Sequence, residues 1–163
     1  MKTFVPLEDI ASVLPILSDI AIWGGVSDRQ REEIFRRLEV GTFKEGEHIF
    51  QKGDAPSHIY IVKKGSITLL ITDEEVILTK KTLTVGECFG VASLMSMQSH
   101  STTATALEDS EVMALSRRAL LQLKDEDIEL FTLLMMNVAR ELARRLNLTD
   151  EILLRHMHTH KDE

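Results

Sequence analysis

Apolar residues in the first region of the chain recur at steps of three or four, the spacing of one face of a helix. Ile10, Leu14 and Leu17 follow this period, and Ser27, ahead of a run of good helix formers, is a typical N-cap residue. The pattern predicts a helical lead-in over residues 1–38, with its helices between residues 7 and 38.

The hydrophobic pattern changes at residue 39. From Val40 to Leu115 apolar residues alternate with polar ones or form short runs, as in "HIYIVKKG" and "SITLLIT", with glycines between the runs. Such runs are typical of strands joined by tight turns. We therefore expect an all-β unit over residues 39–124, with the acidic "TDEE" at residues 72–75 as the tip of a hairpin.

From about Asp125 the period returns to three or four. A helix of about 30 residues extends about 45 Å, longer than a domain of this size needs for its own packing. We expect one long helix over residues 125–163 that forms a two-stranded coiled coil with a second copy; a bent helix folding back on the β unit is the alternative. The residues of this stripe are Ile128, Phe131, Met135, Val138, Leu142, Leu146, Leu153 and Met157.

The composition is that of a soluble globular protein. The chain has 163 residues, 44% of them hydrophobic and 28% charged, which suits one domain plus an appendage. No apolar run reaches the roughly 18 residues of a membrane span, and the N-terminal residues do not form an export signal. The single cysteine, Cys88, suits a reducing compartment and is expected to be a small buried residue. We expect a cytoplasmic protein that does not contact membranes.

The net charge of -7 argues against a general nucleic-acid surface, because binding to phosphates needs clustered Lys and Arg. Two short basic groups occur, one in residues 29–37 and one formed by Arg140, Arg144 and Arg145. Both are interleaved with glutamates, including Glu141, so we interpret both as solvated helix faces.

Enzyme motifs are absent from the sequence, which has no nucleophile elbow, Walker loop, paired-histidine zinc motif or EF-hand loop. We therefore expect a protein that is not an enzyme and has no resident cofactor. His156 and His160 lie four residues apart with His158 between them, a spacing able to grip a Zn or Ni ion. Their terminal position favours a passive tail, so no metal site is expected.

The segment from Gly86 to Leu107 has the features of an anion-binding loop without the charges. Two glycines are followed by small residues that can open a helix, and then by a run of hydroxyl side chains. No Lys, Arg, Asp or Glu occurs between Cys88 and Leu107. His100 is the one residue of its loop that can become cationic near neutral pH.

Three segments carry a more specific signal: "FKEGEHIFQKGDAPSHIYIVKKGSITLL" at residues 43–70, "LTVGECFGVASL" at 83–94 and "TTATALEDSEVMALSRRALLQL" at 102–123. Together they resemble the cyclic nucleotide-binding domain, the family of the sensor halves of bacterial catabolite activators and the regulatory subunits of cyclic-nucleotide-dependent kinases. The resemblance spans about residues 15–147. The residues that match the family's glycine and apolar pattern are Gly46, Ile49, Phe50, Gly53, Tyr60, Val62, Gly65, Gly86, Phe89, Gly90, Ala104 and Leu107.

The resemblance implies a mainly β fold with flanking helices: an eight-stranded jelly roll, or double-stranded β-helix, closed by a long C-terminal helix. It places Phe50 and Tyr60 in the core and the glycines at turns with positive φ. Residues 86–107 would be the ligand cassette, a short helix and loop between two strands. The candidate ligand-binding residues are Phe89, Gly90, Val91, Ala92, Ser93, His100, Ser101, Thr102 and Thr103.

The cassette departs from the family's pattern at both charged positions. In ligand-competent relatives a Glu after Phe-Gly accepts hydrogen bonds from the ribose, and an Arg pairs with the cyclic phosphate. Here the Glu position is Val91. The Arg position falls on Thr102 when the alignment is anchored on "TATAL", and on His100 when it is counted from Gly90 with a shorter loop. The frame of a cyclic-nucleotide site is present without its charged anchors.

Three interpretations of function follow. The chain is a regulatory or sensory module that does not hold cAMP or cGMP with useful affinity; or it senses another small ligand through the N–H groups of residues 91–93 and the hydroxyls of residues 101–103; or it binds cyclic nucleotides weakly through His100 or Thr102. A purely structural interaction module, with an unknown protein partner, is the competing class.

In a sensor of this kind, cassette occupancy or partner contact is expected to shift the closing helix. The shift would repack Met95 and Met97 against Phe131 and Met135, because methionine adapts to changing surroundings.

The expected partner is a second copy of the chain. Catabolite activators of this family carry a helix-turn-helix after the long helix, and this chain as given ends at Glu163 without room for one. DNA binding by this chain is therefore not expected.

Overall fold

Two packed antiparallel sheets form the centre of the computed structural model, which describes residues 3–72 and 77–159 except for the side chains at 17–18, 72, 77–80 and 156–159. The first sheet has the order β1-β2-β9-β4-β7 and the second β3-β8-β5-β6. Strands β2 to β9 thus make two four-stranded sheets, and β1 extends the edge of the first. The strands are β1 (Val5–Pro6), β2 (Leu38–Phe43), β3 (His48–Phe50), β4 (His58–Lys64), β5 (Ile67–Thr72), β6 (Ile77–Leu83), β7 (Cys88–Phe89), β8 (Thr103–Ala106) and β9 (Ser110–Ser116).

The strands β4 and β9 are buried on both faces because successive side chains point to opposite sides of a strand. In β4, Ile59 and Ile61 face the helices, whereas Tyr60 and Val62 face the second sheet. This arrangement confirms the predicted jelly-roll fold. Thr72 pairs with Ile77, so β5 and β6 form a hairpin, but most of the predicted acidic tip lies outside the described residues.

The lead-in is helical as predicted, but most of its helical residues form 3-10 helices rather than the α-helices that its hydrophobic period indicates. Residues 10–12, 14–19 and 21–23 form three short 3-10 helices, and only α1 (Asp28–Phe35) is an α-helix. Pro15 and the pair Gly24 and Gly25 interrupt the segment, and both residue types disfavour a continuous α-helix. The predicted cap is present: Ser27 and Gln30 form a reciprocal capping box at α1.

Two helices follow β9, of which the sequence indicated one. Helix α3 (Arg117–Glu126) occupies the end of the region predicted as β, with the Ser116 side chain accepting a hydrogen bond from the N–H of Ala119. Asp127 separates it from the long helix α4 (Ile128–Thr159). The ten residues of α3 are too few for the apolar spacing of a sequence window to separate a helix from a buried strand.

The buried apolar side chains form two clusters on either side of the first sheet. The helix-side core lies between that sheet and the helices, and Trp23 meets Phe35 edge-on within it. The roll interior lies between the two sheets. Its buried members are Phe43, Phe50, Tyr60, Val62, Ile67, Leu83, Phe89, Ala104, Ala106, Val112 and Ala114.

Helix α4 has a docked part, which packs on the domain as far as residue 145, and a free part, residues 146–155. Leu130, Leu134 and Val138 are buried in the helix-side core, whereas the side chains of residues 146–155 are all exposed. Four residues of the predicted coiled-coil stripe therefore belong to the domain's own packing rather than to an exposed seam. They are Phe131, Met135, Val138 and Leu142.

Candidate functional site

The cassette begins with a sharp turn at Gly90, which lies between β7 and the short helix α2 (Val91–Ser96). Its φ is +75°, in the left-handed region that favours glycine. A Cβ atom at this position would lie 2.8 Å from Cδ2 of Tyr60 and 3.0 Å from the carbonyl oxygen of His58. Glycine is therefore required both by the backbone conformation and by the approach of β4.

Val91, which the sequence resemblance predicts at the family's Glu position, is completely buried. It belongs to the helix-side core together with Leu94 of the same helix. Its neighbours in α2 lie further out, since Ala92 is exposed and Ser93 is half-buried. The side chain at this position serves packing, and it offers no hydrogen-bond acceptor to a ligand.

His100 is buried at the end of the cassette loop, with 3% of its surface exposed. Its imidazole stacks on the ring of Phe50, with the ring centroids 3.6 Å apart and the planes 9° from parallel. Its backbone N–H donates to the carbonyl of Asp54, and its own carbonyl accepts from the N–H of Gly53. The loop is thus fixed against the turn that follows β3.

The electrostatics of this position keep His100 neutral. Burial lowers the pKa of His100 below its ordinary value of 6.5, and the nearby carboxylate of Asp54 opposes this shift without reversing it. Nε2 of His100 is buried and has no hydrogen-bond partner among the described residues. The group that the sequence marked as a possible cation is therefore an uncharged, stacked ring at neutral pH.

The hydroxyl residues of the cassette are not gathered around one point. Ser101 is exposed, Thr102 is 8% exposed, and Thr103 is half-buried. The Thr103 hydroxyl accepts a hydrogen bond from the backbone N–H of Lys52 at 3.1 Å, so it already ties β8 to the neighbouring turn. Of these three residues, only Thr102 is both buried and close in sequence to His100.

Aromatic rings occupy the roll interior beside the cassette. Phe89 lies 5.2 Å from Tyr60 and 5.9 Å from Phe50, and Phe50 lies 5.6 Å from Tyr60, measured between ring centroids. Burial raises the pKa of Tyr60, whose hydroxyl is within 3.5 Å of that of Ser57. Together with His100, these side chains fill the space between the sheets next to Gly90.

The two cassette methionines predicted to pack against the closing helix differ in burial. Met95 and Met135 are partly buried against the helix-side core, as is Phe131. Met97 is instead about half exposed, at 56%. Met97 is the C-cap residue of α2 and has the left-handed conformation, with φ of 58°.

Sequence reasoning missed the polar contact between α4 and the cassette. Arg145 donates a hydrogen bond from Nη2 to the carbonyl oxygen of Cys88 at 2.6 Å. Its Nε donates to Glu141, a carboxylate with only 7% of its surface exposed. The spacing of Glu141 to Arg145 predicts an ion pair on the helix, but nothing in the sequence indicates a contact with a residue 57 positions away.

Two surface depressions lie away from the cassette. The first, on α4, is lined by Ile128, Glu129, Thr132, Leu133, Met136 and Arg140. The second lies beside the start of α3 and is lined by Pro56, Ser57, His58, Ser116, Arg117, Arg118, Leu121, Gln122 and Asp125. Neither contains a residue of the cassette.

Within the described ranges, no three His, Cys, Asp or Glu residues converge to hold a metal ion. His160 and the side chains of His156 and His158 lie outside these ranges. The described helices include none that is apolar over a length sufficient to cross a membrane.

The family model of the cyclic nucleotide-binding domain matches residues 40–127, more than half of the chain. The chain belongs to the cyclic nucleotide-binding domain family. Members of this family are regulatory and sensory modules, and the match covers the whole cassette.

Known proteins support the assignment. The chain is 36% identical to the cyclic AMP receptor protein of Thermus thermophilus over 112 residues, 66% of this chain and 49% of that protein. The crystal structure of the Thermus thermophilus catabolite activator protein superposes with a TM-score of 0.74 at 30% identity, covering 82% of this chain and 61% of that one. A cyclic nucleotide-binding domain from Methylobacillus flagellatus KT has a TM-score of 0.80 at 18% identity, over 95% and 88% of the two chains, and shows the shared fold alone. The chain spans about half or less of the length of the curated relatives it matches.

Proposed function

We propose that this chain is a non-enzymatic regulatory module that does not hold cAMP or cGMP tightly. The observation that carries the proposal is the state of the two positions where the family has charge. Val91 is a fully buried apolar residue, and the two candidates for the family's Arg position are His100, an uncharged ring stacked on Phe50, and Thr102, a buried threonine.

The expected loss of affinity is large. A hydrogen bond to a charged group contributes about 1.5–3 kcal/mol, and each 1.4 kcal/mol is a tenfold change in the dissociation constant. Losing both anchors weakens cyclic-nucleotide binding by roughly three decades. Dissociation constants that would be micromolar become millimolar.

Isothermal titration calorimetry of the purified protein with cAMP, cGMP and cyclic dinucleotides tests this proposal. We expect no saturable binding up to several hundred micromolar ligand. The Thermus cyclic AMP receptor protein, titrated with cAMP in the same buffer, serves as the positive control. Saturable micromolar binding of cAMP or cGMP would overturn the proposal and favour direct contacts from His100 or Thr102.

A second candidate function is a sensor for an uncharged ligand. The observation that favours it is the buried Nε2 of His100, which lacks a partner among the described residues and can make one hydrogen bond to a polar group. A neutral imidazole recognises a neutral donor or acceptor better than it recognises a phosphodiester. Saturable binding of an uncharged nucleoside such as adenosine, with no heat from cAMP or cGMP, would support this second function, and the absence of any such binding would count against it.

The exposed face of α4 supports a homodimer as the form in which the module acts. A row of exposed residues, here named the outer stripe, runs along α4 on the face opposite Leu130, Leu134 and Val138. Its members follow steps of four and three, as a coiled-coil seam requires. They are Ile128, Thr132, Met136, Ala139, Ala143, Leu146, Asp150 and Leu153.

The exposure of the large members of the outer stripe favours burial against a second copy. Leu146 is 61% exposed, Leu153 58% and Ile128 57%. Because the inner face of α4 packs on its own domain, a dimer built through the outer stripe leaves that packing intact. The helix would then lie between its own cassette and the partner's helix.

A further inference from the structure

The contact between Arg145 and Cys88 lies where α4 leaves the domain. Toward the N-terminal end of the helix, its inner face is buried as far as Glu141; beyond Arg145, every described side chain is exposed. Arg145 itself is partly covered, with 27% of its side chain exposed. It therefore sits at the boundary between the docked part and the free part of α4.

The strand reached by Arg145 has an unpaired edge. Among the described strands, β7 is the last in its sheet and pairs only with β4, through Tyr60 opposite Phe89 and Ile61 opposite Cys88. Backbone groups on the outer side of an edge strand find no partner within the sheet. Arg145 supplies a donor for one of them, the carbonyl of Cys88, and its guanidinium also lies 3.4 Å from the Cys88 sulfur.

A buried carboxylate orients this arginine. Oε1 of Glu141 accepts from Nε of Arg145 at 2.6 Å and from Nη2 of Arg144 at 2.9 Å, and Oε2 accepts from Nε of Arg144 at 2.9 Å. Burial acts to raise the pKa of Glu141, but the hydrogen bonds from the two arginines hold it below the ordinary value. Glu141 is thus an anion whose bond to Nε of Arg145 orients that side chain so that Nη2 reaches the strand, whereas Arg144, 59% exposed, pairs with the same carboxylate from the solvent side.

The backbone that Arg145 contacts lies at the start of the cassette, just before its short helix α2. Cys88 is two residues before Gly90, whose left-handed turn and close approach to Tyr60 leave little freedom for the chain between them. A displacement at the start of α2 therefore either moves the carbonyl of Cys88 or stretches its bond to Arg145. A displacement of α4 at residue 145 acts on the same carbonyl from the other side.

We propose that Glu141, Arg145 and the carbonyl of Cys88 form a helix–strand link that couples the cassette to the direction in which the free part of α4 leaves the domain. The coupling rests on the proposed regulatory function, in which the cassette is the element that changes. With the link made, α4 stays docked as far as residue 145 and presents residues 146–155 in a fixed direction. With the link broken, the docked part ends earlier, and both the start of α2 and the free helix gain mobility.

Hydrogen–deuterium exchange of the ligand-free protein tests the link without depending on any ligand. Arg145→Gln removes the donor to Cys88, and we expect exchange in residues 86–97 and 139–148 to rise by roughly ten- to a hundredfold, as loss of a charged hydrogen bond predicts. Arg144→Gln is the matched control, because Arg144 contacts the same carboxylate and does not reach β7. Exchange in residues 86–97 is expected to stay within twofold of the wild type in that variant.

The outcomes separate the link from a general loss of stability. If Arg145→Gln and Arg144→Gln give the same exchange in residues 86–97, the link does not hold the cassette and the proposal fails. If Arg145→Gln does not fold, exchange is measured in Arg145→Lys instead. The lysine ammonium can bond Glu141 or the carbonyl of Cys88, but it lacks the extended guanidinium that bonds both at once. Intermediate exchange in the lysine variant supports the link, and wild-type exchange overturns it. Tight cyclic-nucleotide binding would contradict the proposed function and would leave these exchange results unaffected.

Discussion

The imidazole of His100 lies flat against the phenyl ring of Phe50, with 3.6 Å between ring centroids. The stack joins the end of the cassette loop to β3 and places an uncharged ring at one of the two positions that the alignment predicts for the family's Arg. A protonated imidazole in this position would lose most of its hydration and gain only the partial attraction of Asp54. The stack therefore makes the absence of charge a property of the fold as well as of the sequence.

The first prediction concerns the pH dependence of stability. Since the pKa of His100 is lowered in the folded state, the unfolded chain binds more protons once the pH falls below about 6.5. The stabilising contribution of neutral His100 is thus complete above this pH and is lost as the pH falls through the folded pKa. Burial lowers the pKa of His58 as well, so the two histidines act in the same direction.

Urea unfolding at pH values between 7.5 and 5, in steps of about half a pH unit, checks this prediction. His100→Phe keeps an aromatic ring against Phe50 and removes the titrating group. We expect its free energy of unfolding to fall less steeply with acidification than that of the wild type. Identical slopes for the two proteins would show that His100 does not titrate between the folded and unfolded states.

The second prediction concerns Gly90. Gly90→Ala places a Cβ within 3.0 Å of Tyr60 and forces alanine into a left-handed backbone, whereas Gly46→Ala at φ of +80° meets nothing within 4 Å. The conformation alone costs roughly 1–2 kcal/mol, and overpacking adds about 1–3 kcal/mol. We expect Gly90→Ala to lower the free energy of unfolding by more than Gly46→Ala does. Equal losses in chemical denaturation would mean that Tyr60 moves aside without cost.

The third prediction restores the missing charges. His100→Arg supplies a cation, and Val91→Glu supplies a carboxylate at the other position. At about 1.5–3 kcal/mol for each charged hydrogen bond, the double variant should bind cAMP roughly two to four decades more tightly than the wild type. Calorimetric titration measures the gain, and circular dichroism confirms that the variant is folded, since the carboxylate enters a buried apolar site. Thr102→Arg with Val91→Glu covers the alternative position, and folded variants without any gain at either position would show that the packing of the aromatic rings, rather than the missing charge, excludes the nucleotide.

The fourth prediction concerns the outer stripe of α4. Glutamates at Leu146 and Leu153 would face their own copies across a two-stranded seam, so the double substitution should convert a dimer into a monomer. Light scattering after size-exclusion chromatography reports the mass directly. Leu121→Glu on α3 is the matched control, because Leu121 is 48% exposed and lies off the stripe. A wild-type monomer at about 100 µM would exclude a seam strong enough to act at cellular concentrations.

The fifth prediction uses the single cysteine as a reporter of the helix–strand link. Burial raises the pKa of the Cys88 thiol, which is 3% exposed, so its reaction with a disulfide reagent should be slow in the wild type. Arg145→Gln should speed the reaction at least roughly tenfold, because opening of α4 exposes the sulfur. The rate in Arg144→Gln should match the wild type, and an equal acceleration in both variants would point to general unfolding.

Much of the fold could be predicted because its signals are local. Glycines at turns, alternating runs in the strands and the period of α4 each follow from a few neighbouring residues, and the family pattern joined them into a jelly roll. The lead-in was harder, since 3-10 turns share much of the spacing of an α-helix. Strand β1 and helix α3 gave no sequence signal long enough to identify them.

The candidate site divides in the same way. Alignment indicated Val91 for one position and either Thr102 or His100 for the other, and the lack of charge at all three residues is visible in the sequence. The stacking of His100 on Phe50 and the bond from Arg145 to Cys88 join segments about 50 or more residues apart, and no local pattern encodes them. The methionines show the opposite case. The sequence predicted one role for both Met95 and Met97, whereas in the structure Met95 is packed against the core and Met97 is exposed.

The helix-side core has a practical consequence for where this domain can be cut. The family match begins at residue 40 and ends at residue 127, yet Ile22, Trp23 and Ile34 before it and Leu130 and Leu134 after it are all buried in that core. A fragment trimmed to the family boundaries would expose the outer face of its first sheet to water. The smallest unit able to fold alone is therefore wider than the unit that sequence families recognise, and it includes the lead-in and the first turns of α4.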